Sequence, residues 1–196
     1  MKPKIIALSD THGQHEDVEE CDILIFAGDW SHISGMKSTL IFNAWLDRQP
    51  AKYKVVIPGN HDQEVHLIDT AIVLINNGIE VEGITIFGSP YTPEFCNWHY
   101  MKSPEDMEKM YKTFPTQGID ILITHGPPKG ILDNFKGERI GCPSLYDYVK
   151  KLQPKAHIFG HNHHKGYCSD GLTDYYNVAV LDQDYYRMFE PTEIIL

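Results

Sequence analysis

The sequence predicts an α/β fold in which a mixed sheet system lies inside a layer of helices. Short β-branched apolar runs recur along the 196 residues, and amphipathic helical patterns lie between some of them. The apolar runs are continuous rather than alternating, which is typical of strands covered on both faces. We therefore expect most of the sheet surface to be buried.

Six apolar runs are the main strand candidates. In chain order they are KIIAL (4–8), ILIFA (23–27), KVVI (54–57), ITIF (84–87), DILIT (120–124) and AHIF (156–159). After residue 165 the character changes, and the segments DYYNVAV, YYRMF and EIIL predict antiparallel strands joined by turns such as SDG.

Three segments carry helical patterns. Residues 104–112 begin with a proline and two acids, and residues 143–152 begin with a proline and end near two lysines, as helices do. Residues 37–49 place apolar side chains on one face, which predicts that this face packs on the sheet. The residues of that face are Leu40, Ile41, Ala44 and Trp45.

Composition limits the class of protein. The length fits a single domain spanning residues 1–196. The net charge of −10 argues against nonspecific nucleic-acid binding, because such grooves need an excess of Lys and Arg.

Four cysteines without a C-x-x-C pair fit a reducing compartment, and no apolar run has the length of a signal-peptide core or a membrane span. We expect a cytoplasmic protein with no membrane partner, and the sequence leaves its oligomeric state open.

Polar side chains follow five of the predicted strands. They are Asp10 and His12, then Asp29, Asn60, His125, and finally His161 and His163. The carboxyl ends of strands in α/β sheets converge on the ligand crevice, so these residues should gather there. A lone His after a strand is usually structural, but seven such residues in register with five strand ends indicate a metal site. Oxygen and imidazole ligands without thiolate suit Mn, Fe, Ni, Co or Zn, and seven ligands with one bridging carboxylate would serve two ions.

The same residues form ordered sequence blocks. They read D-x-H (10–12), G-D (28–29), G-N-H-D (59–62), H (125) and G-H-x-H (160–163). In this order the blocks resemble those of the calcineurin-like metallophosphoesterase superfamily. The segments SDTH, FNAWL, GSPYTPEF, GIDILITHGPP, RIGC and LQPKAHIFGH are similar to the small metallophosphoesterase-domain-containing proteins, relatives of the mammalian brain and fetal-brain forms. The resemblance implies a four-layer α/β/β/α sandwich and divalent-metal phosphodiesterase activity on nucleotide-like substrates.

The resemblance also implies a role for each site residue. One ion would be held by Asp10, His12, Asp29 and His163, and the other by Asp29, Asn60, His125 and His161, with Asp29 bridging. Manganese is the expected metal, with Fe, Zn, Ni or Co as alternatives, and a water bridging both ions would attack in line. His61 is expected to donate a proton to the leaving oxygen, and Asp62 is expected to orient its imidazole.

Residues 88–102 are rich in aromatic side chains and are expected to contact the substrate. Tyr91 and Trp98 would stack on a nucleobase, although the rings of a long loop can instead form a small core of their own. Arg139 is a candidate phosphate clamp. The remaining histidines are expected to lie outside the ligand set, namely His32 and His164 as neighbours of the site or surface residues, and His15, His66 and His157 as structural residues.

Two other functions fit the same sequence. A phosphomonoesterase could use the same metal centre, and a catalytically silent scaffold would resemble the retromer subunit of the superfamily. Scaffolds of that kind usually lose motif residues, whereas every block is intact here. The G-D-x-V-D-R-G block of Ser/Thr protein phosphatases is absent, and His32 occupies the position of the purple acid phosphatase tyrosine.

Overall fold

A computed structural model describes residues 2–186 and 189–196. The strands are β1 (Ile5–Leu8), β2 (Cys21–Phe26), β3 (Ala51–Val56), β4 (Ile72–Val73), β5 (Asn77–Val81), β6 (Ile84–Ser89), β7 (Thr92–Pro93), β8 (Met101–Lys102), β9 (Ile121–Thr124), β10 (Asn134–Phe135), β11 (Glu138–Arg139), β12 (Ala156–Phe159), β13 (Gly166–Ser169), β14 (Asp174–Asn177) and β15 (Thr192–Ile194). The helices are α1 (Met36–Arg48), α2 (Pro104–Tyr111) and α3 (Pro143–Leu152), and a 3₁₀ turn spans Val65–Leu67.

Two mixed sheets carry the fold. Sheet I has the strand order β15-β1-β2-β3-β4, in which only β15 runs antiparallel to its neighbour. Sheet II has the order β13-β14-β12-β9-β6-β5, with a parallel centre and an antiparallel strand at each edge. Two small pairs, β7-β8 and β10-β11, lie in the connections.

Three apolar clusters define four layers. The cluster between the sheets includes Ile25, Ile57, Ile123 and Ile158. A second cluster joins sheet I to α1, and a third joins sheet II to α2 and α3. The predicted four-layer α/β/β/α sandwich is confirmed.

The double-sided burial explains why the strand sequences do not alternate. In β2, Ile23 and Ile25 point into the cluster between the sheets, whereas Leu24 and Phe26 point toward α1. Each fully buried aliphatic or aromatic side chain stabilises the fold by about 1.5–3 kcal/mol. Both faces of the strand therefore have to be apolar.

The apolar face predicted for α1 is buried only at Trp45. Leu40 and Ile41 are about half exposed, at 48% and 51%, and Ala44 also faces solvent. With Trp45 the helix buries Phe42 and Leu46 rather than the other three residues of that face, and Phe42 stacks on Trp30 at a ring-centroid distance of 4.7 Å. Both sets of residues have helical spacing, so periodicity could not choose between them. The larger rings bury more apolar area, which decides the rotation of the helix.

The C-terminal segment only partly follows the antiparallel prediction. β14 pairs antiparallel with β13 but parallel with β12, and β15 pairs antiparallel with β1. The predicted strand at 185–189 includes residues 187 and 188, which lie outside the described residues. Within the described part of the chain, no helix is both long and apolar enough to cross a membrane.

Candidate metal centre and active site

The ends of five strands bring the seven predicted ligands into one buried cluster. The turns after β1, β2 and β3 come from sheet I, and those after β9 and β12 come from sheet II. The backbone N–H of His161 donates to Asp10 at 3.0 Å, and Nδ1 of His125 donates to the carbonyl of Ala27 at 2.9 Å. Hydrogen bonds between the two sheets therefore hold the cluster together.

One group of potential ligands consists of Asp10, His12 and His163, whose ligand atoms all lie within 4.8 Å of one another. Nε2 of His12 lies 3.0 Å from Nε2 of His163, and Nε2 of His163 lies 3.6 Å from a carboxylate oxygen of Asp10. All three side chains are buried. This group corresponds to three of the four ligands expected for the first ion.

A second group consists of Asp29, His125 and His161, also within 4.8 Å. Nε2 of His125 lies 3.2 Å from Oδ2 of Asp29 and 3.0 Å from Oδ1 of Asn60. The amide oxygen of Asn60 therefore points at the same position as the imidazole. Together these residues are the four ligands expected for the second ion.

Asp29 lies between the two groups. Its Oδ2 atom is 3.2 Å from Nε2 of His125 and 3.8 Å from Nε2 of His12. Its other oxygen, Oδ1, accepts a hydrogen bond from the backbone N–H of His61 at 2.8 Å. One carboxylate oxygen thus reaches both groups, as a bridging ligand must.

The histidines of the cluster are oriented through their Nδ1 atoms. Nδ1–H donates to a backbone carbonyl in His12 (to Ser31, 3.0 Å), in His125 (to Ala27, 2.9 Å) and in His163 (to Asp182, 2.8 Å). A carbonyl oxygen can only accept, so each of these rings carries its proton on Nδ1 when neutral and presents the lone pair of Nε2 to the cluster. This arrangement is usual for metal-binding histidines. The donor set fits divalent ions.

The backbone around the cluster is strained. Positive φ angles occur at Asp10 (55°), His12 (44°), Asp29 (61°), His161 (73°) and His163 (50°). Such left-handed conformations are uncommon outside glycine and cost of the order of 1–3 kcal/mol each. Five of the seven candidate ligands adopt them, so the turns direct side chains inward at a local cost in stability.

Gly160 is required by the close approach of the two sheets. A Cβ atom at this position would collide with the side chains of Ser9 and Asp10. The glycine of the G-H-x-H block therefore lets the turn after β12 lie directly against the turn after β1.

The electrostatics of the cluster favour metal binding. Burial lowers the pKa of His12 to about 4, and loss of hydration lowers that of His161 to about 3, so both rings are neutral at pH 7. Burial would lower the pKa of His125 too, but the Asp29 carboxylate raises it to about 9. Burial alone would raise the pKa of Asp29, but the neighbouring histidines lower it well below its usual range. The neutral imidazoles of His12 and His161 and the ionised carboxylate of Asp29 are in the protonation states that bind cations. The imidazolium of His125, which is paired with Asp29 in the metal-free protein, has to lose its Nε2 proton when a cation binds.

His61 lies at the edge of this cluster. Its Nδ1–H donates to the carbonyl of His32 at 3.1 Å, and its ring meets that of His12 edge-on at 4.8 Å. A ligand atom of His61 is also within 4.8 Å of ligand atoms of Asp29 and His12. The ring is thus close enough to serve the reacting group.

The predicted role of Asp62 is corrected. Its carboxylate does not hold the imidazole of His61, which is bonded to a carbonyl instead. It accepts hydrogen bonds from the backbone N–H groups of Asp29 (2.7 Å), Gly59 (2.8 Å) and Ser31 (2.9 Å). Asp62 therefore clamps the turn after β2 to the turn after β3, and it acts on the site through the backbone.

A pocket of about 540 Å³ opens above the cluster. Its floor includes Asp29, Asn60 and His61. Its walls come from three segments that are distant in sequence, and they include Phe95, Trp98, Phe135, Ile140 and Tyr185. The ring of Trp98 lies 4.2 Å from that of His61, so the prediction that Trp98 lies at the site agrees with this geometry.

Tyr91 and Arg139 occupy other positions. Tyr91 lies outside the pocket wall, where its ring contacts Tyr100 at 5.8 Å and receives the ammonium group of Lys102 at 4.4 Å. The guanidinium of Arg139 forms a 2.6 Å ion pair with the buried Asp133. The substrate-binding roles of Tyr91 and Arg139 stay predictions, and these contacts favour structural roles.

The other histidines lie where they were expected. His32 and His164 are exposed, and His66 forms an exposed pair with Glu64. His15 packs against Phe42 and Trp45. His157 is fully buried, and its Nε2 atom lies 2.8 Å from the hydroxyl of Thr124.

Tyr185 is a site residue that the sequence did not reveal. Its ring lies 4.9 Å from His12 and 4.8 Å from His163, so it covers one side of the cluster. It belongs to an irregular segment after β14, and no motif marks it. The ring reaches the cluster because the segment between β14 and β15 passes beside it.

Comparisons with known proteins agree with this geometry. The sequence model described as Calcineurin-like phosphoesterase matches residues 3–165, which include every predicted ligand. The chain belongs to this family. Its members bind divalent metals and hydrolyse phosphoesters. The resemblance to the calcineurin-like metallophosphoesterases, predicted from the ordered sequence blocks, is confirmed.

Individual relatives extend the family assignment over most of the chain. The human Metallophosphoesterase domain-containing protein 1 is 32% identical over 98% of this chain and 71% of its own length. The UPF0046 protein K07C11.7 of Caenorhabditis elegans is 33% identical over 90% of this chain and 69% of its own length. Among solved structures, the Phosphopantetheinyl Hydrolase of Mycobacterium tuberculosis has a TM-score of 0.66 at 15% identity, with coverage of 93% and 90% of the two chains, which shows a shared fold.

Proposed function

We propose that this protein is a two-metal phosphodiesterase that hydrolyses small nucleotide-like diesters, with manganese as the expected metal. The position of Asp29 carries the proposal. A single carboxylate oxygen reaches His12 on one side and His125 on the other, directly below an open pocket. A site for one ion would not need this shared oxygen.

The assignment of ligands follows the two groups. Asp10, His12 and His163 would hold one ion with Asp29, and Asn60, His125 and His161 would hold the other with the same Asp29. Two divalent ions would supply a nucleophile at neutral pH and would neutralise charge on the phosphoryl group. The protein residues keep Nε2 lone pairs and carboxylate oxygens directed at these positions through their backbone hydrogen bonds.

His61 is the proposed proton donor to the leaving group. Because Nδ1–H is engaged by the carbonyl of His32, the proton that leaves the ring comes from Nε2 of the imidazolium. The backbone N–H of His61 is bonded to Asp29, which ties the ring to the cluster. The aromatic side of the pocket, with Trp98 against His61, would stack a nucleobase.

The charge of the pocket favours a diester over a monoester. A phosphomonoester carries up to two negative charges at neutral pH, and proteins commonly hold them with arginine or lysine. The described lining residues include neither of these. Arg139, the nearest candidate, is engaged by Asp133.

A metal-dependent hydrolysis panel tests the proposal. Protein loaded with Mn should hydrolyse bis(p-nitrophenyl) phosphate and a nucleotide diester faster than p-nitrophenyl phosphate, and a chelator should abolish the activity. Preference for the monoester would support the phosphomonoesterase alternative. Loss of all activity with both metal sites filled would support the scaffold alternative.

The cytoplasmic location is part of the same proposal. Cys21, Cys96, Cys142 and Cys168 are all free thiols, which suits a reducing compartment. Cell fractionation of the tagged protein would test it.

A further inference from the structure

We propose that the pocket selects phosphodiesters in which one ester arm carries an ammonium group, above all a quaternary one. This inference rests on the proposed function and names the substrate class within it. It concerns the upper part of the pocket, which the metal centre does not use.

Outside the cluster, the charged side chains that line the pocket itself are both acidic. Outside the cluster, the ionisable side chains that line the pocket are Glu94 and Glu138, together with the neutral phenol of Tyr185. Within residues 2–186 and 189–196, neither glutamate side chain forms a hydrogen bond or an ion pair. Two unpaired carboxylates above a centre that binds a phosphate anion would repel a second phosphate and attract a cation.

Each glutamate is a neighbour of an aromatic residue of the pocket wall, in sequence or in strand register. Glu94 and Phe95 are consecutive and both line the pocket. On the other wall, Phe135 and Glu138 are directly paired across the β10-β11 hairpin, which brings their side chains close together. Two separate segments thus supply the same combination of a ring and a carboxylate.

This combination matches the chemistry of a quaternary ammonium ion. Such an ion binds to the faces of aromatic rings through the ring quadrupole, and a nearby carboxylate balances its charge without needing a hydrogen bond. The rings of Trp98 and Tyr185 complete an apolar surround. The ammonium group of Lys136 lies 5.6 Å from the centroid of Phe135, so this ring accepts a cation in the free protein and Lys136 would compete with the ester arm for it.

The alternative is that the two glutamates are ordinary solvated surface charges. In that case they would have no effect on which ester arm is preferred. A pair of substrates that differ only in charge separates the two possibilities.

The test compares p-nitrophenyl phosphorylcholine with p-nitrophenyl 3,3-dimethylbutyl phosphate. The two share a leaving group and a shape, and they differ by a nitrogen in place of a carbon. For the Mn-loaded protein we expect kcat/KM to be about 2- to 30-fold higher for the choline ester, which is the range of a cation–π contact. The ratio should fall as salt is added, because the carboxylates are exposed.

Variants identify the residues responsible. The double substitution Glu94→Gln and Glu138→Gln should bring the ratio close to 1, whereas Glu80→Gln, an exposed glutamate on β5, should leave it unchanged. Lys136→Gln should not lower the ratio, because it removes a competing cation. A ratio of 1 in the active wild-type protein, or an unchanged ratio in the double variant, overturns the inference and leaves the proposed function intact.

If no diester is hydrolysed, the proposed function is overturned. A binding measurement then tests separately whether the pocket binds an ammonium group. Tetramethylammonium chloride should saturably quench the tryptophan fluorescence of the metal-free protein, with sodium chloride as the ionic control. The double variant should bind it more weakly, and Trp98→Phe should lose most of the signal. Quenching that never saturates, or that is equal in the double variant, overturns the inference.

Discussion

Asp62 accepts a hydrogen bond from the backbone N–H of Asp29 at 2.7 Å, although 33 positions separate them in the chain. The same carboxylate also accepts from Gly59 and Ser31. The bridging position of Asp29 thus depends on a buried carboxylate that is bonded to the backbone of two turns.

Replacement of Asp62 should therefore lower the stability of the folded protein. In Asp62→Asn the amide NH₂ would face backbone N–H groups, and an unsatisfied buried donor costs about 1–3 kcal/mol. We expect urea unfolding to show a loss of this size together with weaker metal binding. Asp47→Asn, an exposed site on α1, is the matched control. Unchanged stability combined with a specific loss of proton transfer would restore the original assignment of Asp62 to His61.

Asp29→Asn should reduce the metal content more than the loss of an outer ligand. Wild-type protein loaded with Mn should bind two ions per chain by elemental analysis. Because Oδ2 of Asp29 reaches both groups, Asp29→Asn should weaken both ions, whereas His12→Ala should weaken one. At most one ion in the loaded wild-type protein would contradict the dinuclear site.

His61→Ala should separate metal binding from catalysis. Positioned acid catalysis typically contributes 10²–10⁴-fold, and we expect a loss of about this size on a ribose leaving group, which needs a proton. Nitrophenolate departs without one, so bis(p-nitrophenyl) phosphate should suffer much less. His66→Ala is the control, since this ring is exposed and pairs with Glu64. A bound ion lost in His61→Ala would make this residue a ligand.

Trp98→Ala should raise the Michaelis constant for a nucleotide substrate. A stacked base is worth about 1–3 kcal/mol, and Trp98 lines the pocket whereas Tyr91 does not. Tyr91→Ala should mainly lower the melting temperature, because its ring packs on Tyr100 and Lys102. Equal effects of the two substitutions on the Michaelis constant would show that the loop acts as one unit.

His157 should make the metal-free protein less stable in acid. Burial lowers its pKa to about 3 from 6.5, so the unfolded chain takes up the proton first as the pH falls. The contribution is fully present above pH 6.5 and is lost progressively toward pH 3, with a loss of about 2 kcal/mol at pH 5. The free energy of unfolding of His157→Gln should vary less between pH 7 and pH 5 than that of wild type or of His66→Gln. Parallel curves for all three proteins would exclude this cause.

The sequence by itself determined the kinds of elements and the chemistry at their ends. Continuous apolar runs predicted strands buried on both faces. In β2, for example, alternate side chains enter the cluster between the sheets and the cluster beneath α1, so every position has to be apolar. The ligands could be predicted because residues at the carboxyl ends of parallel strands share one edge, whatever the intervening loops do. Asp29 and Asn60, which follow the parallel neighbours β2 and β3, lie together for that reason. The 3.2 Å contact between Asp29 and His125 also requires the two sheets to pack with these edges aligned.

Only the tertiary structure decided which of several locally equivalent arrangements occurs. Leu40 and Phe42 both belong to faces with helical spacing, and contact with Trp30 selects Phe42. Asp62 is adjacent to His61 in the chain, yet it bonds to backbone groups brought in by the turn after β2. Tyr185 and the Phe135–Glu138 pair reach the pocket from irregular segments with no motif. In each case the deciding contact joins segments distant in sequence, so its energy depends on packing between elements and leaves no local pattern.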